Sequence, residues 1–272
     1  MIGAIIGDIV GSKYEWHNWK DKRFVLFDRE ECRPTDDTVL TLAVAEALRI
    51  SNGDASLLGR EAETQLRKFG RLYPHAGYGG KFRQWLRADR PEPYGSFGNG
   101  AAMRVSPCGW AARSEREAAE FSRAVTEVTH DHPDAVKAAE AVSVSVFLLR
   151  TGTSVSDLRR IVGERWYELD FTIDEIRPGY VFDSTCTGSV PQAFEAFFEA
   201  AGFEDAVRNA VSVGGDSDTI AAIAGSLAEA AFGVPENIRK EGLSYLDPFQ
   251  TDVLADFEEF VTAFSHTAKT AN

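Results

Sequence analysis

The chain has 272 residues, of which 44% are hydrophobic, with a mean hydropathy of −0.22 and a formal net charge of −13 at pH 7. These values are ordinary for a soluble globular protein, and no apolar stretch reaches the roughly 20 residues that a membrane-spanning helix needs. The acidic balance disfavours a general nucleic-acid binder, because affinity for the phosphate backbone depends on clustered Lys and Arg.

The chain begins with a short apolar run, residues 1–8, which lacks a basic leader. Strand-like alternation is scarce after it, and the candidate at residues 23–27 is short. We therefore predict an all-α fold with buried helices such as residues 135–149, and a single domain over residues 1–272. The apolar periodicity predicts helices over residues 36–50, 55–70, 79–87, 115–128, 133–150, 154–166, 189–201, 203–211, 218–232 and 251–265.

The cysteines bear on the cellular compartment. Cys32, Cys108 and Cys186 form no CxxC pair and no even framework, which fits a reducing compartment and argues against structural zinc. Together with the missing leader, this predicts a cytoplasmic protein.

Two acidic motifs stand at predicted helix starts: Thr35-Asp36-Asp37-Thr38, and Gly214-Gly215-Asp216-Ser217-Asp218-Thr219. A hydroxyl cap followed by an acid in the first turn is also the ordinary way to satisfy free helix amides. Each motif, however, carries more acids and hydroxyls than a cap requires, and the paired glycines permit close approach of the backbone. If the motifs converge, their carboxylates repel one another unless divalent cations offset the charge.

The kind of ligand narrows the choice of cation. Oxygen donors from Asp, Thr and Ser, without nearby Cys or His, favour Mg²⁺, Mn²⁺ or Ca²⁺ over Zn²⁺ or copper. Two separated motifs are enough to supply a site for two metal ions.

Glycine-rich loops form a second group of candidate functional residues, after the acidic motifs. The segments 77–80 and 94–100 place glycines beside aromatic residues, a combination that lets backbone amides hold a diphosphate while a ring stacks on a base, although plain turns have the same composition. His130 stands near another helix start, where a packing role is the ordinary alternative to a functional one.

Together these motifs resemble the ADP-ribosylglycohydrolase family over nearly the whole chain. The matching segments, in the family order, are residues 3–12 followed by Glu15, residues 35–38, the loop 77–79, residues 96–104, Thr129-His130, and residues 214–219. The resemblance implies an all-helical fold with a cleft that binds two divalent cations, Mg²⁺ or Mn²⁺. It also implies hydrolysis of the glycosidic bond between ADP-ribose and a side chain, which reverses ADP-ribosylation.

The resemblance also assigns roles by position. Glu15, Asp36 and Asp218 are the implied catalytic residues, with Glu15 activating water or contacting a metal, while Asp8 is a structural partner of the first motif. The implied metal ligands are Thr35, Asp36, Asp37, Asp216, Asp218 and Thr219. The implied ADP-ribose-binding residues are Gly77, Tyr78, Gly79, Ser96, Phe97, Gly98, Asn99, Gly100 and His130, with Ser96 and His130 near the diphosphate.

Two other functions are open at this point. The pair His130-Asp131 resembles the centre of the histidine-aspartate phosphohydrolases, but no other histidine lies in a matching motif. A catalytically silent relative that binds ADP-ribose or serves a structural role is the other alternative. The expected partner is an ADP-ribosylated protein or a small ADP-ribose conjugate, and the leaving group, arginine or serine among others, cannot be read from the residues.

Overall fold

The computed structural model describes residues 1–269 and is built from helices. Within this range the backbone forms no strand, and the sole β-bridge joins Gly98 to Thr185. The prediction of an all-α fold is therefore confirmed, and residues 270–272 of the predicted domain lie outside the described residues. The helices are α1 (Ile2–Ser12), α2 (Asp36–Ile50), α3 (Ala55–Leu72), α4 (Gly80–Arg87), α5 (Ser106–Ala111), α6 (Glu115–Thr126), α7 (Pro133–Arg150), α8 (Val155–Arg165), α9 (Ile173–Ile176), α10 (Cys186–Phe198), α11 (Phe203–Val213), α12 (Ser217–Phe232), α13 (Glu236–Leu243) and α14 (Pro248–Lys269).

Every helix predicted from periodicity is present, with ends displaced by a few residues. Helices α1, α5, α9 and α13 were not predicted. Helix α1 is buried along its entire length, so it has no polar face to produce a 3.6-residue alternation. The others are short, and α5 contains a proline in its first turn. The candidate strand at residues 23–27 is irregular backbone.

Helix α1 packs along α12 at unusually short range. Gly3, Gly7 and Gly11 recur every four residues, which places them on one face of α1. A methyl group at Gly7 would collide with the backbone of Ala221, and one at Gly11 with the backbone at Ser217 and Asp218. The missing side chains therefore allow the two backbones to touch, and the C-terminal end of α1 lies beside the N-terminus of α12.

Helix α2 completes this arrangement. It packs against α1, α3 and α14, and its first turn lies beside Asp8 in the middle of α1. The buried helix predicted at residues 135–149 is α7, which contacts α5, α6, α10 and α12. The N-termini of α2 and α12 thus meet at one place next to α1. Across residues 1–269, no helix combines the length and the apolar character that crossing a bilayer would require.

Candidate active site

The two acidic motifs converge. The Thr219 hydroxyl donates a hydrogen bond to Asp37 over 3.0 Å, which joins the first turns of α2 and α12. Two groups of carboxylates each bring oxygens within 4.8 Å of one another: Asp8, Asp37 and Asp218 form one, and Glu15, Asp216 and Asp218 form the other. Asp218 belongs to both groups, so the acids form one continuous cluster.

Asp8 holds the first motif in place. Its carboxylate accepts hydrogen bonds from the backbone amides of Thr35 (2.9 Å) and Thr38 (3.0 Å), and from both threonine hydroxyls. The Thr35 hydroxyl also accepts the amide of Asp37 and so caps α2. Asp8 is fully buried and both of its carboxylate oxygens accept hydrogen bonds from the first motif, which agrees with the structural role expected for it.

The second motif is held by the segment that follows α1. Gly214 and Gly215 adopt positive φ angles of 78° and 68°, which glycine accepts without strain. The Asn18 side chain accepts the Gly215 amide, and the Lys20 ammonium donates to the carbonyl of Val213 at the end of α11. The segment that carries Glu15 is therefore fastened to the turn that carries Asp216.

Asn99 links this cluster to the glycine loop. Its amide nitrogen donates to Asp216 over 2.7 Å and to Ser189 over 3.0 Å, so both of its amide hydrogens are used within the protein. The Ser189 hydroxyl in turn donates to the carbonyl of Thr185. Asn99, predicted to bind ligand, therefore also orients the carboxylate of Asp216.

Burial raises the pKa of every acid in the cluster, and the neighbouring carboxylates raise it further for each of them except Asp8. Burial, followed by the charge of Asp218, holds the pKa values of Asp36 and Asp37 well above the usual aspartate range. For Asp218 the causes are burial and then Asp216. Burial raises the pKa of Asp216 to about 6 and, with Asp218 and Asp8, that of Glu15 to about 8. Without a counter-ion, this cluster therefore retains protons at neutral pH.

The cluster forms one end of a cavity of about 400 Å³, a size typical of small-molecule sites. Most of the predicted site residues line it. From the acidic motifs and the Glu15 segment these are Glu15, Asp36, Asp37, Asp216, Asp218 and Thr219. From the glycine loops and the loop before α7 they are Gly77, Gly79, Ser96, Gly98, Asn99, Gly100 and His130.

Three predicted site residues do not line the cavity. Thr35 is buried behind it, bonded to Asp8. Tyr78 is 2% exposed and packs against Phe82, so its ring belongs to the core. Phe97 is half exposed and makes an edge contact with His132, so it lies outside the cavity. The glycines beside Tyr78 and Phe97 line the cavity while these two rings turn away from it.

Other aromatic residues occupy the cavity wall instead. Tyr94 lies beside His130, with ring centroids 5.7 Å apart. At the acidic end, Trp16 and Phe182 stack on each other with centroids 5.3 Å apart, and Trp16 is 73% exposed. Trp16 was identifiable from its position next to Glu15, whereas Phe182 has no sequence signal that separates it from a surface aromatic.

Two basic residues, Lys81 and Arg104, line the cavity, and neither was predicted to do so. Arg104 lies in the segment 96–104 that matches the family pattern, so its position carried a signal. Burial, and then the positive charges of Arg104 and Lys81, hold the pKa of His130 well below the usual histidine range. The imidazole is therefore neutral, and the cavity wall carries both the acidic cluster and two basic residues.

Comparison with known proteins agrees with this architecture. A family model described as ADP-ribosylglycohydrolase matches residues 1–269. The solved structure of an ADP-ribosylglycohydrolase-related protein complex superposes with a TM-score of 0.71, at 22% sequence identity, and covers 97% of each chain, which shows a shared fold.

Two relatives with assigned activities are similar in sequence. The human ADP-ribosylhydrolase ARH3 is 26% identical over 339 aligned positions, covering 94% of this chain and 90% of the human protein. The ADP-ribosyl-[dinitrogen reductase] glycohydrolase of Rhodospirillum rubrum is 30% identical over 162 positions, covering 58% and 53% of the two chains. Because the family model spans almost the whole sequence, the chain is a glycohydrolase enzyme and belongs to the ADP-ribosylglycohydrolase family.

Proposed function

We propose that this protein is a metal-dependent hydrolase that cleaves the glycosidic bond between ADP-ribose and a modified side chain, and so reverses ADP-ribosylation. The observation that carries the proposal is the convergence of two acidic motifs on a cavity that two basic residues, Lys81 and Arg104, also line. ADP-ribose has groups that suit both kinds of residue. Its diphosphate carries the negative charge that basic residues attract, and its distal ribose carries the scissile bond.

The acidic end fits divalent cations. Its carboxylates are buried and crowded and their pKa values are raised, so a bound cation would relieve the repulsion among them. We assign Asp36, Asp37, Asp216, Asp218 and Thr219 as the residues that hold two Mg²⁺ or Mn²⁺ ions, while Thr35, whose hydroxyl is bonded to Asp8, holds the loop that carries Asp36 and Asp37. When bound, these ions orient the ribose hydroxyls and the attacking water and lower the pKa values of the neighbouring carboxyl groups.

The wall that carries His130 fits the diphosphate. The glycine loop around Gly98 and Gly100, together with Ser96 and His130, supplies uncharged polar groups to an anion. Lys81 and Arg104 supply the positive charge. Gly77 lies next to Asp36, and both Gly77 and Gly79 line the cavity, where the ribose joined to the diphosphate would pass.

We assign Glu15 as the general base. It lies in the cluster with Asp216 and Asp218 and reaches the cavity. In the proposed step Glu15 takes a proton from water, and the water oxygen bonds to the anomeric carbon of the ribose. The electron pair of the broken glycosidic bond leaves with the nitrogen or oxygen of the former side chain, which is then protonated.

The substrate is either an ADP-ribosylated protein or a small ADP-ribose conjugate, linked through arginine or serine. The leaving group projects past the acidic end, where Trp16 and Phe182 border the cavity. We also propose that the chain acts as a single unit, because α1, α2 and α12 all contribute to one site. The buried, free state of Cys32, Cys108 and Cys186 supports a reducing, cytoplasmic setting.

The test is release of free ADP-ribose from two synthetic peptides, one arginine-linked and one serine-linked, with and without Mg²⁺ or Mn²⁺. We expect metal-dependent release from at least one peptide, lost in Asp36→Ala and Asp218→Ala and kept in Asp252→Ala, which removes an exposed acid on α14. If neither peptide releases ADP-ribose while ADP-ribose still binds, the arginine or serine linkage is wrong, and a different leaving group or a silent binding protein takes its place.

A further inference from the structure

Arg104 is the most unusual charged residue of the described chain. Its side chain is fully buried, and no carboxylate of residues 1–269 forms an ion pair with it. One guanidinium nitrogen, Nη2, donates to Thr129 Oγ1 over 2.7 Å and to the Val125 carbonyl over 3.2 Å. The other two, Nε and Nη1, are buried without a hydrogen-bond partner. A buried charge is ordinarily paired, so an unpaired guanidinium beside a cavity indicates an anionic ligand.

Thr129 passes this interaction on to His130. Its hydroxyl lies 2.6 Å from His130 Nδ1, whereas its distance to the carbonyl of Thr126 is longer, at 3.4 Å. A separation of 2.6 Å is short for an N–H donor and ordinary for an O–H donor. The Thr129 hydroxyl therefore accepts from Arg104 and donates to Nδ1, which leaves the His130 proton on Nε2.

The opposite edge of the His130 ring faces the glycine loop. A methyl group on Gly100 would lie 3.3 Å from His130 Nε2, so the ring edge fits against a position that has no side chain. Tyr94 borders the ring on another side. The imidazole is thus fixed by its neighbours, with one nitrogen on Thr129 and the other beside the cavity.

We propose that Arg104 and Thr129 are positioning residues that hold His130 as the Nε2–H tautomer, so that the neutral ring donates a hydrogen bond to the diphosphate of a bound ligand. The unpaired guanidinium charge adds an attraction for the same anion from beneath the cavity floor. This inference rests on the proposed function only for the identity of the ligand, because the tautomer is a property of the free protein.

The first test is the protonation pattern of His130 in the free protein, measured by ¹⁵N–¹H correlation of histidine-labelled samples and assigned with His130→Gln. We expect the Nε2–H pattern in the wild type, its loss in Thr129→Val and its return in Thr129→Ser. Thr126→Val is the matched control, because Thr126 is equally buried and its hydroxyl bonds to nothing in the described chain. A wild-type proton on Nδ1, or an unchanged pattern in Thr129→Val, would overturn the proposal.

The second test is binding of ADP-ribose by isothermal titration calorimetry with Mg²⁺ present. We expect Thr129→Val to weaken binding by about tenfold, the loss typical of one hydrogen bond to a charged group, while Thr129→Ser and Thr126→Val bind as the wild type does. In cleavage assays the loss should appear in KM more than in kcat, since the diphosphate lies away from the broken bond. Equal affinity of Thr129→Val and the wild type contradicts the proposal.

The role of the charge is tested by comparing Arg104→Lys with Arg104→Met. We expect Arg104→Lys to bind ADP-ribose more tightly than Arg104→Met. Both variants lose the guanidinium group that reaches Thr129, but only the lysine keeps the positive charge. Equal binding by the two variants would rule out the charge contribution. If either variant fails to fold by circular dichroism, the Thr129 series still decides the proposal. Absence of cleavage in the wild type would refute the proposed function but leave the tautomer measurement valid.

Discussion

Thr219 donates a hydrogen bond to Asp37 across 182 positions of sequence, at the point where the first turns of α12 and α2 meet. The contact joins two helix N-termini, each of which favours negative charge nearby. The stabilisation that the helix N-termini give to negative charge is small beside the repulsion among the buried carboxylates of both motifs, and the pKa values of these carboxyl groups are therefore raised. The site is therefore a place where folding brings together groups that, without a cation, destabilise the fold.

The metal-free protein should become less stable as the pH rises. Asp216 and Glu15, with pKa values raised to about 6 and about 8, bind protons in the folded state that the unfolded chain releases at lower pH. Unfolding then releases protons, so the free energy of unfolding falls as pH increases from about 5 to about 8. Thermal melts in EDTA across this range measure the effect.

Divalent cations should reverse this trend. Because they bind the ionised carboxylates, Mg²⁺ or Mn²⁺ should raise the melting temperature more at pH 8 than at pH 5. The Asp252→Ala protein, altered at an exposed site, serves as the control. A melting temperature in EDTA that climbs between pH 5 and pH 8 would contradict the raised pKa values.

Asp8 and Asp37 should respond in opposite directions to the same substitution. Asp8→Asn replaces a carboxylate that accepts four hydrogen bonds with an amide. The NH₂ group of that amide would face N–H and O–H donors of Thr35 and Thr38, so we expect a loss of about 2–4 kcal/mol in the free energy of unfolding. Asp37→Asn removes a repelled carboxylate and should leave the metal-free protein as stable as the wild type or more so.

Chemical denaturation in EDTA distinguishes the two variants, and titration with Mn²⁺ completes the test. Asp37→Asn should lose the stabilisation that the metal gives the wild type. If Asp8→Asn were instead as stable as the wild type in EDTA, Asp8 would not be the anchor of the first motif.

The glycine face of α1 gives a sharp test of the helix packing. Gly7→Ala places a methyl group against the backbone of Ala221, which no side-chain rotation can relieve, so we expect a loss of about 1–3 kcal/mol or more. Gly163→Ala on α8 is the matched control, because nothing lies within 4 Å of its new methyl group. That variant should gain about 0.5–1 kcal/mol from helix propensity. Urea denaturation of both variants checks the contrast, and an equal effect on the two would show that α1 and α12 do not touch as described.

The sequence was informative where function depends on the kind of residue and less so where it depends on orientation. The two acidic motifs could be recognised because each carries more acids and hydroxyls than a helix cap requires, whereas their convergence entered the sequence argument only as a condition. The orientations of Tyr78 and Phe97 could not, since a ring beside a glycine turn points to the core or to solvent according to contacts that are distant in sequence. Arg104 was missed as a cavity residue for a related reason, because an arginine in a sequence is ordinarily exposed. Helix α1 gave no periodic signal because all of its faces are buried.

Trp16 should affect the substrate beyond its ADP-ribose part. It is largely exposed, stacks on Phe182 and borders the acidic end of the cavity, where the leaving group projects in the proposed complex. We expect Trp16→Ala to change the free energy of unfolding by less than about 0.5 kcal/mol, as for other surface substitutions. Its KM for an ADP-ribosylated peptide should rise about fivefold or more, whereas its affinity for free ADP-ribose should match that of the wild type.

Two comparisons separate this effect from a general disturbance of the site. Trp16→Phe keeps an aromatic face over Phe182 and should recover most of the peptide KM. Trp19→Ala alters a nearby, less exposed tryptophan that packs on Tyr14 and does not line the cavity, so it should leave that KM unchanged. If Trp16→Ala weakened peptide and free ADP-ribose equally, the aromatic pair would serve the ADP-ribose half of the site, and the leaving group would have to project elsewhere.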